Sequence, residues 1–366
     1  MKTEFARNQI VQQYVAAFAK DGPKPFIENL ETKVSEHRWG KHLVPLTIND
    51  GISGSAFTCS PRVAYIEYTK EELARFPNRF LVPALHLLVS IVGLLLRCSN
   101  VDRIVHINNW MMSTNLPVDL NPSLTSAQTH ELTHRFPQHL LAIRSLTRQH
   151  SAALMDALEA TGWTMLPSRQ VFLVQNVAKD SLPRRDARND EKLWQLGTFD
   201  YEEPTELTDA DAQRIADLYE QLYLDKYSRI NPVYTPRFIK LTHSIGMIRY
   251  LVLRDRDGQI QGFGGMNQNE RHGTMPLIGY NTHLDRSLGL YRLVCHAGSL
   301  YAARHGLEFN MSSGAAQYKM TRGATAEMEF TAFYIRHLPL HRRAPFAVLR
   351  LIGNKVAIPL LRRYRL

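Results

Sequence analysis

The chain has 366 residues, 44% of them apolar, and 44 lysines and arginines against 34 acidic residues give a net charge of +10. That length exceeds what one core usually serves, so two domains are expected, and the basic balance directs attention to anionic partners such as a coenzyme, RNA or a membrane surface. Cys59, Cys98 and Cys295 lie far apart, in odd number and without metal-ligand spacing, which excludes a disulfide scaffold and suggests a reducing cytoplasm.

The first twenty residues carry a helical apolar stripe and lack the hydrophobic core of a secretory signal. Strands are expected over His42–Ile48 and Val63–Tyr68, flanking the Gly/Ser-rich turn Gly51–Ser55. Phe80–Leu96 is the most apolar stretch. It is about one turn short of spanning length and carries Pro83, His86 and Ser90, so it reads as a buried helix of the first domain, with no integral membrane segment expected.

Strands follow over Asp102–Met112 and His139–Arg144, then a helix over Ser151–Thr161, Gly162, and a strand over Gln170–Gln175. The polar-aromatic run Asn108–Asn115 supplies side chains that could hydrogen-bond an acceptor or build a turn. His130-Glu-Leu-Thr-His134 fits the zinc-binding His-Glu-x-x-His pattern. Pro137 follows at once and no third ligand is evident, so a chance match is expected and no metal is assigned. Residues 178–191, charged and broken by proline, read as a linker between a first domain of 1–177 and a second of 192–340, with a basic segment over 341–366.

In the second domain Thr208 is placed as the N-cap of a helix over Asp209–Tyr227, and Pro236–His243 forms a shorter one. Arg249–Arg254 and Ile260–Met266 are strands joined by Asp-Arg-Asp-Gly, a hairpin signal. A strand over Met275–Tyr280 leads through the loop Arg286-Ser287-Leu288-Gly289-Leu290-Tyr291 into a helix that Gly306 ends, and Leu307–Met311 is the next strand. Backbone N–H groups at such a glycine and helix N-terminus favour a pyrophosphate. A short helix, Ala316–Arg322, and a strand, Glu329–Ile335, close the unit. His337–Leu366 is rich in arginine, suited either to phosphate-bearing RNA or lipid headgroups or to a packed helix with solvated arginines.

This order of elements over about 150 residues, with Arg286 and Gly289 in the loop, resembles the GNAT superfamily of N-acyltransferases, whose donor loop reads Arg or Gln, two residues, Gly, one residue, Gly or Ala. Tyr291 stands at the last small position and is large enough to enter the pyrophosphate pocket. The first half repeats the order without such a loop, and tandem domains of this kind, the first degenerate, are found in Fem-type aminoacyltransferases. The resemblance implies an α/β fold with a mixed sheet and two GNAT-like domains.

It also implies direct N-acyl transfer, with the acyl chain in a V between the fourth and fifth strands, here Leu277–Thr282 and Leu307–Met311. A tyrosine after the fifth strand often supplies the proton, and Tyr318 matches it, with Lys319 beside it; Tyr280 and Asn281 are further candidates. The fourth strand shows no carboxylate, so Asp285, His283 or a relayed water is left as the base. The donor is acyl-CoA, which the partial loop favours, or aminoacyl-tRNA, which the tandem order and basic charge favour. The acceptor is the amine of a small molecule or of a cell-envelope or specialised-metabolite acceptor, and a non-catalytic GNAT-like binding protein and, on His-Glu-x-x-His, a zinc protease are the remaining readings.

Overall fold

Eleven strands form one continuous sheet in the structure, a computed structural model that describes residues 2–51, 54–74 and 78–364. The first half comprises α1 (Lys2–Asp21), the hairpin β1 (Lys33–Trp39) and β2 (His42–Asp50), a helical turn Val63–Glu67 running into α2 (Tyr68–Ala74), α3 (Val82–Cys98), β3 (Arg103–Ile107), α4 (Thr125–Arg135), β4 (Leu140–Thr147), α5 (Arg148–Thr161) and β5 (Thr164–Val174). Helix α6 (Arg185–Trp194) and the short β6 (Asp200–Glu202) lead into the second half. There α7 (Asp209–Tyr219), continued helically to Asp225, and α8 (Pro236–Ser244) precede β7 (Ile248–Arg254), β8 (Ile260–Gln268), β9 (His272–Tyr280), α9 (Leu290–Arg304), β10 (Glu308–Asn310), α10 (Ala316–Thr321) and β11 (Thr325–Tyr334). Two C-terminal helices, α11 (Leu340–Ile352) and α12 (Ile358–Tyr364), are joined by the helical turn Gly353–Ala357.

The strand order is β1-β2-β3-β4-β11-β5-β10-β9-β8-β7-β6. Apart from β6 it reads alike from both ends. β3 and β4 run parallel with α4 as their crossover, as β9 and β10 do with α9. The last strand of each half has crossed over: β11 lies antiparallel between β4 and β5, and β5 lies antiparallel between β11 and β10. The segments 1–177 and 192–340 therefore interleave in space. The sheet also pairs α9 with α4, and α10 with α5, whereas the glycines Gly162 and Gly306 alone suggest that α5 matches α9.

Local signals explain most elements. Thr208 and Asp211 form a capping box at α7, each satisfying a backbone N–H of the other's turn. Asp255 accepts from the N–H groups of Asp257 and Gln259 in the β7–β8 turn.

Three expectations are corrected. Val63–Tyr68 is helical, because Ser60 caps it by accepting from the Val63 N–H at 3.1 Å and Pro61 opens its first turn; this outweighs the alternation of apolar residues. The charged stretch 178–191 is no open linker: it enters α6 and buries Asp190 between Arg292 and Arg322. The apolar helix α3 is buried along one stripe only, Val89, Gly93 and Leu96, whereas Leu87 is 65% and Leu94 62% exposed.

Candidate active site

β9 and β10 pair over three residues, His272 to Thr274 against Glu308 to Asn310, and then part. Into the opening comes the run Asn108–Asn115, which leaves β3 at a left-handed Asn108 and folds inward. Arg144, next after the last β3–β4 pair, holds it: one guanidinium nitrogen donates to the Thr58 carbonyl and the Asn109 side chain at 3.1 Å and to the Met112 carbonyl at 3.4 Å, the other to the Ser113 carbonyl. Arg169 donates through one terminal nitrogen to the Ser113 carbonyl and the Thr114 hydroxyl at 2.8 Å, and the same nitrogen and Nε donate to the buried Glu329 at 3.2 and 2.9 Å. The tip of the run crosses the V. Ser113 donates to the Pro276 carbonyl on β9, and Thr114 shares a 3.0 Å hydrogen bond with Ser312 just past β10.

Lys319, on α10, is the notable charge here. Its Nζ donates to the carbonyls of Ser312 and Ser313 at 3.2 and 2.7 Å, and no carboxylate among the described residues accepts from it. Burial brings its ammonium down to about 7, with Arg169 pushing the same way. Near neutrality such an amine gives and takes a proton readily.

Beside it, Tyr280, Tyr291 and Tyr318 form a row with ring centroids 6.1 and 5.0 Å apart. Burial raises the pKa of Tyr291 and Tyr318, with Cys295 adding to the effect, so both stay protonated and act as donors. Arg322 stacks on the Tyr318 ring at 3.6 Å, and the Tyr318 hydroxyl reaches Asp190 at 3.5 Å. A cleft of about 620 Å³, lined by Asp186, Asn189, Lys192, Arg292 and Arg322, opens between α6 and the start of α9.

The expected donor loop is in place but covered. Arg286–Leu288 makes a short turn and Gly289 is left-handed at φ 64°, opening α9. A Cβ at Gly289 would come within 2.5 Å of Leu193 on α6, so the outer side of the glycine is occupied. Arg286 and Ser287 are exposed, Leu290 is buried, and the Tyr291 ring lies between those of Tyr280 and Tyr318.

Asn281 is engaged locally, donating to Gln261 and accepting from the His283 N–H. Asp285 accepts from the Ser287 N–H, which holds its carboxyl below the usual range. Both serve the turn. The sequence brings Tyr280, Tyr291, Tyr318 and Lys319 together; reasoning from it missed Arg144, Arg169 and Glu329. For the two arginines the signal was a lone charge inside an apolar strand, as Arg144 is in LLAIRSLT.

His130, Glu131 and His134 lie exposed on α4. Among the described residues the group with metal-ligand spacing is instead His150, His272 and Glu308, whose ligand atoms lie within 4.8 Å of one another at the paired end of β9 and β10.

No family model matches the chain, and no curated protein matches its sequence. Among solved structures it is similar to FemX, at 9% identity over 66% of this chain and 83% of that one, with a TM-score of 0.50. The chain has a tandem, Fem-like GNAT fold. The C-terminal domain of a putative lysylphosphatidylglycerol synthetase from Agrobacterium fabrum (15% identity, 69% and 81% covered, TM-score 0.47) and a tandem GNAT protein from the clavulanic acid biosynthesis pathway (12%, 64% and 76%, 0.37) also resemble it. At these identities the likeness of the tandem GNAT fold is one of architecture. The exchange of β5 and β11 and the V between β9 and β10 are the features on which any chemistry of this fold must be built.

Proposed function

We propose that this tandem GNAT-like chain is an acyltransferase whose activated acyl group arrives as the ester of an aminoacyl-tRNA, and whose acceptor is the amine of a small molecule. The observation that carries it is the filling of the route that CoA takes in GNAT proteins. Leu193 covers Gly289, Tyr291 lies between Tyr280 and Tyr318, and Ser113 and Thr114 bridge the V. A donor that enters from the side, through the cleft lined by Lys192, Leu193, Arg292 and Arg322, does not have to cross Tyr291 or the bridge of Ser113 and Thr114, and cations there suit the phosphodiester next to the acylated terminal ribose. The net charge of +10 supports a polyanionic donor, and such a donor places the chain in the cytoplasm.

In the transfer the neutral amine attacks the ester carbonyl; the new C–N bond forms, the C–O bond to the ribose breaks, and the amine proton ends on the departing oxygen. Lys319 is poised to accept the first proton and return it, and the Tyr318 hydroxyl donates toward the developing oxyanion. Arg169 and Glu329 position the run that lines the acceptor side.

Transfer of a labelled amino acid from charged tRNA to a panel of amines, beside isothermal titration with CoA and acetyl-CoA, tests the proposal. RNA-dependent transfer without CoA binding is expected. Saturable micromolar CoA binding would overturn it in favour of acyl-CoA, the reading that Arg286 and the left-handed Gly289 at the start of α9 otherwise suggest. Binding of charged tRNA with no transfer to any amine would instead leave a binding protein.

A further inference from the structure

Large apolar side chains are exposed on two helices that pack against each other over the same face of the sheet. On α3, Leu87, Ile91 and Leu94 recur at four- and three-residue steps, opposite the buried stripe of Val89, Gly93 and Leu96. On α11, Leu340, Val348 and Leu351, at steps of eight and three residues, share one face opposite the buried Phe346 and Leu349. Each helix therefore shows apolar surface on both sides, where a helix at a water-facing surface carries polar residues on its outer side.

Charge along the two helices themselves has one sign only, and Glu67, on the turn packed beside α3, is paired with Arg62 and Lys70. From Leu73 to Val101 and from Phe330 to Leu366 the sequence contains no aspartate or glutamate, and residues 340–366 hold six arginines and one lysine. Arg97, Arg343, Arg350 and Lys355 are exposed on the two helices and the turn that follows.

We propose that α3 and the C-terminal helices form a platform that lies on an anionic phospholipid bilayer. An apolar stripe flanked by cations is the pattern of an interfacial helix, its side chains entering the headgroup boundary while arginines meet lipid phosphates. A second copy fits poorly, because it would bring two basic helix faces together, and the nearby Glu67 is already paired with Arg62 and Lys70.

Leu340–Leu361 is long and apolar enough to cross a membrane by length and composition. Its beginning is nevertheless fixed to the fold. Buried Arg342 donates to the carbonyls of Ser99, Asn100 and Gln138, and Phe346 packs on Phe333 of β11. Arg350 and Lys355 would be stranded in hydrocarbon were it to span, so the platform lies flat.

The placement also bears on the site. Phe333 and, further along β11, Thr331 and Glu329 face the platform side of the sheet, as Ala142 and Arg144 do on β4. Four residues of strand separate Phe333 from Glu329, ~13 Å, so a docked platform holds the polar centre near the bilayer surface. The docking stands whether or not the transfer reading holds.

Flotation of the whole protein with phosphatidylcholine vesicles, with and without phosphatidylglycerol, tests it. Binding is expected to be roughly tenfold stronger or more on the anionic vesicles and to weaken with salt. The triple variant Leu87→Glu, Leu94→Glu, Leu351→Glu changes exposed positions, so it should keep its circular dichroism and melting temperature yet lose the vesicles. Arg343→Gln with Arg350→Gln and Lys355→Gln should remove the anionic preference. Equal flotation of wild type and the apolar triple variant overturns the proposal. So does a failure to float by a protein whose concentration-dependent dimer the same variant dissolves, which would assign the surface to a second copy.

Discussion

Each half of the molecule places a cation where its parallel strands part, half-buried in one and buried in the other, and the two cations are treated differently. In the first half Arg144 follows the last β3–β4 pair, and its guanidinium donates to three carbonyls and an amide side chain. In the second half Lys319 serves the equivalent opening after β10 with two carbonyls and a lowered pKa of about 7. Arginine presents a fork of fixed donors and keeps its charge, so it suits a scaffold; lysine has one point charge that burial can neutralise, so it suits proton transfer. The degenerate half thus became the framework of the other half's site.

The largest effect that would sharpen this contrast is the loss of chemistry on Lys319→Met. Transfer should fall ~10²–10⁴-fold. Stability should move the other way. The folded-state pKa lies below the ordinary 10.5, so the lysine contributes fully only above that pH and its contribution falls as pH drops toward about 7. Met removes that cost, and the melting temperature should rise at pH 7 and below. Unchanged turnover in Lys319→Met would break the assignment of roles.

Arg144→Met should show the opposite balance, leaving several buried carbonyls unmet and costing about 3 kcal/mol in urea unfolding. A variant as stable as wild type would mean that the 108–115 run holds itself.

The pH dependence separates the halves again. Transfer should rise through an inflection near pH 7 that belongs to Lys319 in the second half. In the first half His106 is brought to about 3 by burial, with Arg144 adding to it, so its folded form is neutral. Its stabilising effect is present above about 6.5 and is lost as pH falls toward 3, so thermal unfolding should become easier across that window. His106→Gln should flatten the acid limb and leave the inflection near 7 in place.

The smallest expected effect compares two glycines at the ends of α9. Gly306 (φ 63°) has open space around its missing Cβ, so Gly306→Ala should cost ~1–2 kcal/mol from its left-handed backbone alone. Gly289→Ala adds the contact with Leu193 and should cost more. Equal costs would mean that α6 does not press on the donor loop.

Much of the fold was legible because its signals are local. The Thr208 cap, the Asp255 turn, the stripe of α9 and the glycine that opens it each act within a few residues, and the order of elements followed from them. The same locality misled at Val63–Tyr68, where a serine cap and a proline outweighed an alternating pattern. Phe80–Leu96 misled differently: composition fixes that a helix is apolar, but not how much of it finds a partner.

The sequence by itself determined the elements, the tandem order, the net charge and the residues that can carry protons, since propensity, capping and composition are properties of short windows. Tertiary structure decided the rest. That β5 and β11 exchange halves, that Tyr291 and Leu193 close the donor loop, and that Arg144, Arg169 and Glu329 meet are matters of contacts between residues scores of positions apart. No periodicity records these, because burial of a charge is stable only when the distant partner is already in place.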